Sequence, residues 1–176
     1  MKIFRLFLFM TLLTGILYPL LIYSVVKLTM KQKAEGDFVA SKGKIVGSSL
    51  IAQKFENEKY FWGRPSSIDY NPLPSGGSNL GWTSAALRKA VEERRKKYQS
   101  GEKIPNELLF SSGSGLDPHI GVDTAYFQME RVAKARNLTV LQVKKLIDSK
   151  VERRSLGFIG PPRINVLLLN IALDEI

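Results

Sequence analysis

An uninterrupted uncharged run, Leu6 to Val26 (LFLFMTLLTGILYPLLIYSVV), opens a chain whose remainder is polar. As a helix rising about 1.5 Å per residue, the run covers roughly 30 Å, the thickness of a bilayer's hydrocarbon core. The sequence therefore predicts a transmembrane helix. Met1, Lys2 and Arg5 ahead of it also suit the positive end of a signal peptide. The run is longer than a signal peptide's usual apolar region, however, and the poor small-x-small match at Ala34 and Gly36 lies beyond the basic stretch Lys27, Lys31, Lys33. An uncleaved anchor is the better reading. Pro19 removes one backbone donor and is expected to kink or thin the helix.

The positive charges on the two sides of the run nearly balance. A long domain crosses largely regardless of charge, and a short basic terminus is easily retained, so the amino end is expected in the cytoplasm and the domain outside. The predicted layout is a short basic terminus at 1–5, a transmembrane helix at 6–26, a juxtamembrane linker at 27–35 and one soluble domain at 36–176. That last stretch is long enough for a single domain with its own core.

The chain carries 26 basic and 16 acidic residues. Removing Lys2 and Arg5 leaves 24 basic residues against the same 16, so the domain is basic in its own right. Its densest basic run, Arg94 to Lys97, follows Glu92 and Glu93 at helix spacing, which reads as a solvated face with Glu92–Lys96 and Glu93–Lys97 pairs. The chain has no cysteine, which excludes disulfides, thiol catalysis and cysteine-ligated metals.

Lys44 to Ser48 has the pattern of a short strand, and Leu50 to Phe55 that of a helical turn. Tyr60 to Gly81 (YFWGRPSSIDYNPLPSGGSNLG) is too punctuated for a regular element and reads as ordered loop. Three helices follow: Ser84 to Gln99, ending before Gly101; Asp123, as N-cap, to Arg136; and one opened by the capping-box pair Thr139 and Gln142. Further strands are expected at Leu108 to Ser111 and Leu156 to Ile159. Pro162 to Leu173 reads as a buried helix, in which Asn165 and Asn170 must find hydrogen-bond partners and act as structural pins. The fold class is α+β, with a small sheet.

Reactive chemistry is sparse. Ser111 to Gly115 (SSGSG) offers Ser112, Gly113, Ser114 and Gly115 as a loop that could present amides to a phosphate, but the lysine of a P-loop is missing. Ser114, Asp117 and His119 have the composition of a hydrolase centre without the framework that would place them. One histidine and scattered carboxylates make no transition-metal ligand set. Tyr60, Phe61, Trp62 and Tyr70 near Arg64 are expected to pack the loop rather than to stack on nucleic acid.

Specific segments carry a family resemblance over essentially the whole length. They are Tyr18-Pro19-Leu20-Leu21 in the anchor, GSSLIAQKF (Gly47 to Phe55), YFWGRPS (Tyr60 to Ser66), YNPLPSGGSNLG (Tyr70 to Gly81), SGSGLDPHI (Ser112 to Ile120), RVAKARNL (Arg131 to Leu138) and PRINVLLLNIALD (Pro162 to Asp174). With these the chain resembles the C subunits of the Kdp potassium-transporting P-type ATPases, departing from the pattern at Trp82-Thr83. The resemblance implies an accessory subunit in the cell membrane with no catalytic site and no cofactor of its own. Potassium would be bound by the channel-like A subunit and ATP hydrolysed by the B subunit, with the small F subunit as a further partner. It also implies an alternative, a catalytic chaperone that raises the pump subunit's affinity for ATP, which requires an inward-facing domain or an effect transmitted through a conformational equilibrium. Loop chemistry and resemblance together nominate Arg64, Tyr70, Asn71, Ser75, Gly76, Gly77, Ser78, Asn79, Leu116 and Asp117, beside Ser114 and Gly115, as partner contacts.

Overall fold

The computed structural model describes residues 1–98 and 103–176. Two compact units divide the chain, Met1–Phe38 and Val39–Ile176.

The first unit is a helix from Lys2 to Thr29, long and apolar enough to cross a membrane. It comprises α1 (Lys2–Leu12), a π-helical turn (Leu13–Leu17) and α2 (Tyr18–Thr29), followed by the single turn α3 (Lys31–Ala34). The wide turn sits directly ahead of Pro19, whose missing N–H and bulky ring disrupt the bond to the carbonyl four residues back. The hydroxyls of Thr14, Ser24 and Thr29 donate to Met10 O, Leu20 O and Val25 O at 2.7–2.8 Å. Each satisfies itself on the carbonyl one turn back along its own helix.

The second unit mixes helices with two two-stranded sheets, an α+β arrangement. β1 (Phe38–Ser41) turns into β2 (Lys44–Ser48) through Lys42 and Gly43, both at positive φ, the backbone of a tight hairpin. β3 (His119–Gly121) pairs antiparallel with β4 (Arg163–Asn165), with His119 opposite Asn165. Neither β3 nor β4 was expected from periodicity, because three-residue strands are too short to show one.

The core is the junction of α6 (Val122–Arg136), α7 (Val140–Ser149) and α8 (Val166–Leu173) over that second sheet. Val132, Val143, Ile147, Ile164 and Leu169 are fully buried there. α6 ends with Asn137 in the left-handed conformation, and two residues later Thr139 and Gln142 cap α7 reciprocally, as the sequence predicts. Val143 and Ile147 face inward from α7, with Leu146 half-buried.

Several expectations need correction. Leu50 to Phe55 forms no helical turn. Leu108 to Ser111 is not a strand: Asn106–Leu109 forms the single turn α5, and Leu108 and Leu109 are buried. Leu156 to Ile159 is a tight turn closed by the bridge Ser155–Ile159, since the left-handed conformations of Leu156 and Gly157 break an extended run. The closing helix starts at Val166, because Arg163–Asn165 is claimed by the sheet and Asn165 caps the helix through Leu168 N. The helix expected over Ser84 to Gln99 is α4 (Ala85–Arg95), capped by Ser84, and it ends early: residues 96–98 are turn and coil, while Gln99 and the expected stop at Gly101 lie outside the described residues. α6 begins one residue before Asp123, with Gly121 at the cap position.

Candidate functional site

The loop that follows β2 is held by side chains rather than by secondary structure. Asn170 on α8 accepts from Phe61 N (2.8 Å) and donates to Phe61 O (3.0 Å); both groups are buried. Gln128 on α6 does the same for Trp62, at 2.8 and 3.0 Å. Arg131 donates to Tyr60 O and Gln128 Oε1, and its guanidinium lies 3.8 Å from the Trp62 ring centroid. Arg136 holds Lys59 O, and Tyr60 donates its phenol to Asp174. Buried amides imitate a neighbouring strand here, so an irregular segment can enter the core without orphaned polar groups. Asn165, which donates to Ser49 O at 2.8 Å, anchors the chain just after β2 in the same manner. Both asparagines are the structural pins that the sequence predicts.

Beyond this clamp, two loops containing all the nominated contact residues interlock. Arg64 pairs with Asp117 (3.2 Å), Gly76 N donates to Ser114 O (3.0 Å), and the Tyr70 phenol donates to Arg64 O (2.9 Å). At two glycines the packing leaves no space for a side chain. A Cβ on Gly115, at φ +71°, would lie 2.7 Å from Ile68 Cγ1 and 2.8 Å from Gly76 O. One on Gly77 would meet Gly113 O at 2.9 Å. Ser112, Gly115 and Leu116 are buried inside the junction; Arg64, Tyr70, Gly76, Gly77 and Asp117 are half-buried; Asn71, Ser75, Ser78, Asn79, Gly113 and Ser114 face solvent. The amides of Gly115, Leu116 and Asp117 already donate within the loop, to Ser112 O, Ser114 Oγ and Ser112 Oγ. Around the exposed polar residues stand Leu73, Leu80 and Trp82, the first and last more than 80% exposed.

Burial opposes ionisation of Asp117, but hydrogen bonds from the His119 side chain and backbone and the charge of Arg64 outweigh it and hold the carboxyl below the ordinary range. His119 stands between two carboxylates, Nδ1 at 3.6 Å from Asp117 and Nε2 at 3.6 Å from Glu152. Ser114 Oγ accepts from Leu116 N rather than engaging His119.

Beside the clamp opens a cavity of about 520 Å³. Trp62, Tyr70 and Tyr98 supply aromatic walls; Lys54, Arg94 and Lys97 supply cations, and Glu56, Glu58 and Asp69 an equal number of carboxylates. Lys54 is already paired with Asp69 at 2.8 Å. Burial pushes the Tyr70 phenol up and the Tyr98 phenol up to about 12, so both are neutral at physiological pH.

Two residues of this region were invisible to sequence reasoning. Arg94 does not belong to a solvated face: it turns inward and donates to Leu109 O (2.7 Å) and Ser111 Oγ (3.2 Å). α4 stops at Arg95, and Glu92 pairs with Arg95 (3.7 Å) rather than Lys96. Glu107 accepts from Gly121 N and Thr124 Oγ1, both at 2.7 Å, and so supplies from a distance the negative charge that the α6 amino terminus favours. A cap from so far along the chain has no local signature.

These features define a class: a membrane-associated α+β protein whose loops are locked together and turn apolar side chains outward. The chain belongs to the KdpC family, since residues 1–175 match the family described as "K+-transporting ATPase, c chain". Its relatives include proteins named potassium-transporting ATPase KdpC subunit from Leptospira interrogans and Dechloromonas aromatica. The first is 48% identical, covering 97% of this chain and 90% of the relative; the second is 44% identical, covering 97% and 94%. A third, so named in Methylobacterium nodulans, is 44% identical over 95% of this chain and 92% of its own length.

Proposed function

We propose that this chain is a noncatalytic accessory subunit of a Kdp potassium-uptake ATPase that assembles and stabilises the complex. Its apolar helix crosses the cell membrane once, and its domain lies on the extracytoplasmic side. There the 71–82 loop docks on the potassium-binding A subunit. The B subunit hydrolyses ATP, and the small F subunit completes the assembly.

The observation that carries this reading is the loop itself. Leu73 and Trp82 are exposed on a backbone fixed by Gly76–Ser114 and by the tight approach of Gly77 to Gly113. Apolar side chains held rigidly in water cost little entropy to bury against a partner. Replacing both residues, Leu73→Ser and Trp82→Ser, is expected to abolish copurification of the A subunit in mild detergent while leaving the circular dichroism of the chain unchanged. Undiminished copurification would remove the loop from the interface. Because the chain has no cysteine, one introduced at Lys89 can be labelled selectively from either side of the membrane, which tests the topology.

The cavity favours a second reading, in which the domain contributes to ATP binding by the pump subunit. Its aromatic walls suit a base, and Lys97 offers a phosphate a cation beside the carboxylates of Glu56, Glu58 and Asp69. In a Trp82→Phe background, saturable quenching of Trp62 emission by ATP would support this reading, and an unchanged spectrum would exclude it.

A further inference from the structure

A second exposed apolar feature lies apart from the 71–82 loop. Residues 153–160 (RRSLGFIG) form a tight turn in which Ser155 and Ile159 exchange both backbone hydrogen bonds, at 3.0 and 2.9 Å. Gly157 N also donates to Arg154 O (3.1 Å). The backbone takes three left-handed positions, Leu156, Gly157 and Gly160, to make this shape. At its tip Leu156 is 83% exposed, Phe158 72% and Ile159 52%.

The unpaired charge around it is positive. Lys150, Arg153 and Arg154 are exposed, and among the described residues none of the three makes an ion pair. The nearby carboxylate of Glu152 is taken by Arg163 at 2.9 Å, with His119 at 3.6 Å. The turn is therefore an apolar wedge ringed by unneutralised cations.

We propose that this turn is a membrane-contact site that inserts Leu156 and Phe158 among the headgroups of anionic phospholipids, with Arg153 and Arg154 binding their phosphates. Three observations select lipid over protein. The cations complement an anionic surface. The tip is convex and offers only three large apolar side chains, far from the roughly 800 Å² per partner of a stable protein interface, whereas interfacial insertion needs only a few such groups with cations beside them. The apolar helix keeps the domain near a bilayer, so even a weak contact is populated at the high effective concentration of a tether. The proposal rests on that anchoring.

The test uses the full-length chain reconstituted in vesicles of phosphatidylcholine, with or without phosphatidylglycerol. A polarity-sensitive fluorophore is attached at Ser155→Cys or, as reference, at Lys89→Cys on α4, and lipid-borne spin labels serve as quenchers. The expected result is blue-shifted, quenched emission at position 155 in phosphatidylglycerol vesicles, little change in phosphatidylcholine alone and none at position 89. Arg153→Gln with Arg154→Gln should lower the ratio of docked to free turn about thirtyfold, taking one charge near an anionic surface as worth about 1 kcal/mol. Circular dichroism of the variant should match the parent. Water-like emission at position 155 in both vesicle types would overturn the proposal, as would quenching that develops only when the other transport subunits are added. Chain that floats free of vesicles would instead overturn the anchor.

Discussion

Residues 57–62 and 153–160 are both irregular and both rich in large apolar side chains, yet one stretch enters the core and the other stands in water. The difference is the supply of hydrogen bonds. Around Phe61 and Trp62, Asn170, Gln128 and Arg131 reach in from α8 and α6 and pair the backbone N–H and C=O of both residues and the Tyr60 carbonyl. Around Leu156 and Phe158 the backbone bonds within the turn, and among the described residues no buried side-chain amide bonds to it. Hydrophobicity alone does not decide which loop is buried. An irregular segment goes inside only where side chains replace the missing ladder.

The contrast is broken most directly by Asn170→Leu, which leaves the Phe61 amide and carbonyl buried and unpaired. Chemical denaturation of the detergent-solubilised chain should show a loss of about 3–5 kcal/mol, from two orphaned groups. A loss below about 1 kcal/mol would mean that the clamp is ornamental. Gly115→Ala tests the interlock next to the clamp. The new Cβ meets backbone and Ile68 in a left-handed conformation, so a loss of about 2–3 kcal/mol is expected in the same assay.

Tyr98 sharpens the comparison through pH. Burial raises its phenol to about 12 in the folded domain against an ordinary value near 10, so between those values the unfolded chain releases a proton that the folded one keeps. The Tyr98 contribution to stability therefore falls as pH rises through that window. Tyr98→Phe should remove that decline, a difference of about 1–2 kcal/mol near pH 12, visible in denaturation midpoints of the two proteins. At the exposed end of the comparison, Phe158→Ser should change stability by less than about 0.5 kcal/mol, because its side chain is mostly exposed. A larger loss would place Phe158 in the fold rather than on its surface.

What the sequence disclosed follows the same division. The apolar helix, the Thr139–Gln142 cap, the strand at Lys44–Ser48 and the pins Asn165 and Asn170 were legible because each depends on neighbours in sequence or on an isolated polar residue in an apolar run. The turn at Leu156 was misread as a strand since its apolar content imitates one; only the glycines at 157 and 160 hint otherwise. Gln128 and Arg131 look like an ordinary wetted face of α6, and nothing local marks them as the grip on Trp62 and Tyr60. The nominated loop residues fall on two segments that interlock in the fold, a proximity that no sequence pattern announces. Their division into interior and solvent-facing members needed coordinates, because glycine and serine serve both settings.

The widened turn at Leu13–Leu17 has a consequence for the helix on either side of it. A π turn accommodates one residue more than an α turn, so the side chains past it are rotated by about 100° from the positions a continuous α-helix would give them. The half from Lys2 and the half from Tyr18 accordingly offer stripes that are out of phase, so two neighbours packed along the rod would have to approach its halves from different sides. Deleting a single residue there would bring the stripes back into line, and with that alignment one of the two neighbours would lose its face.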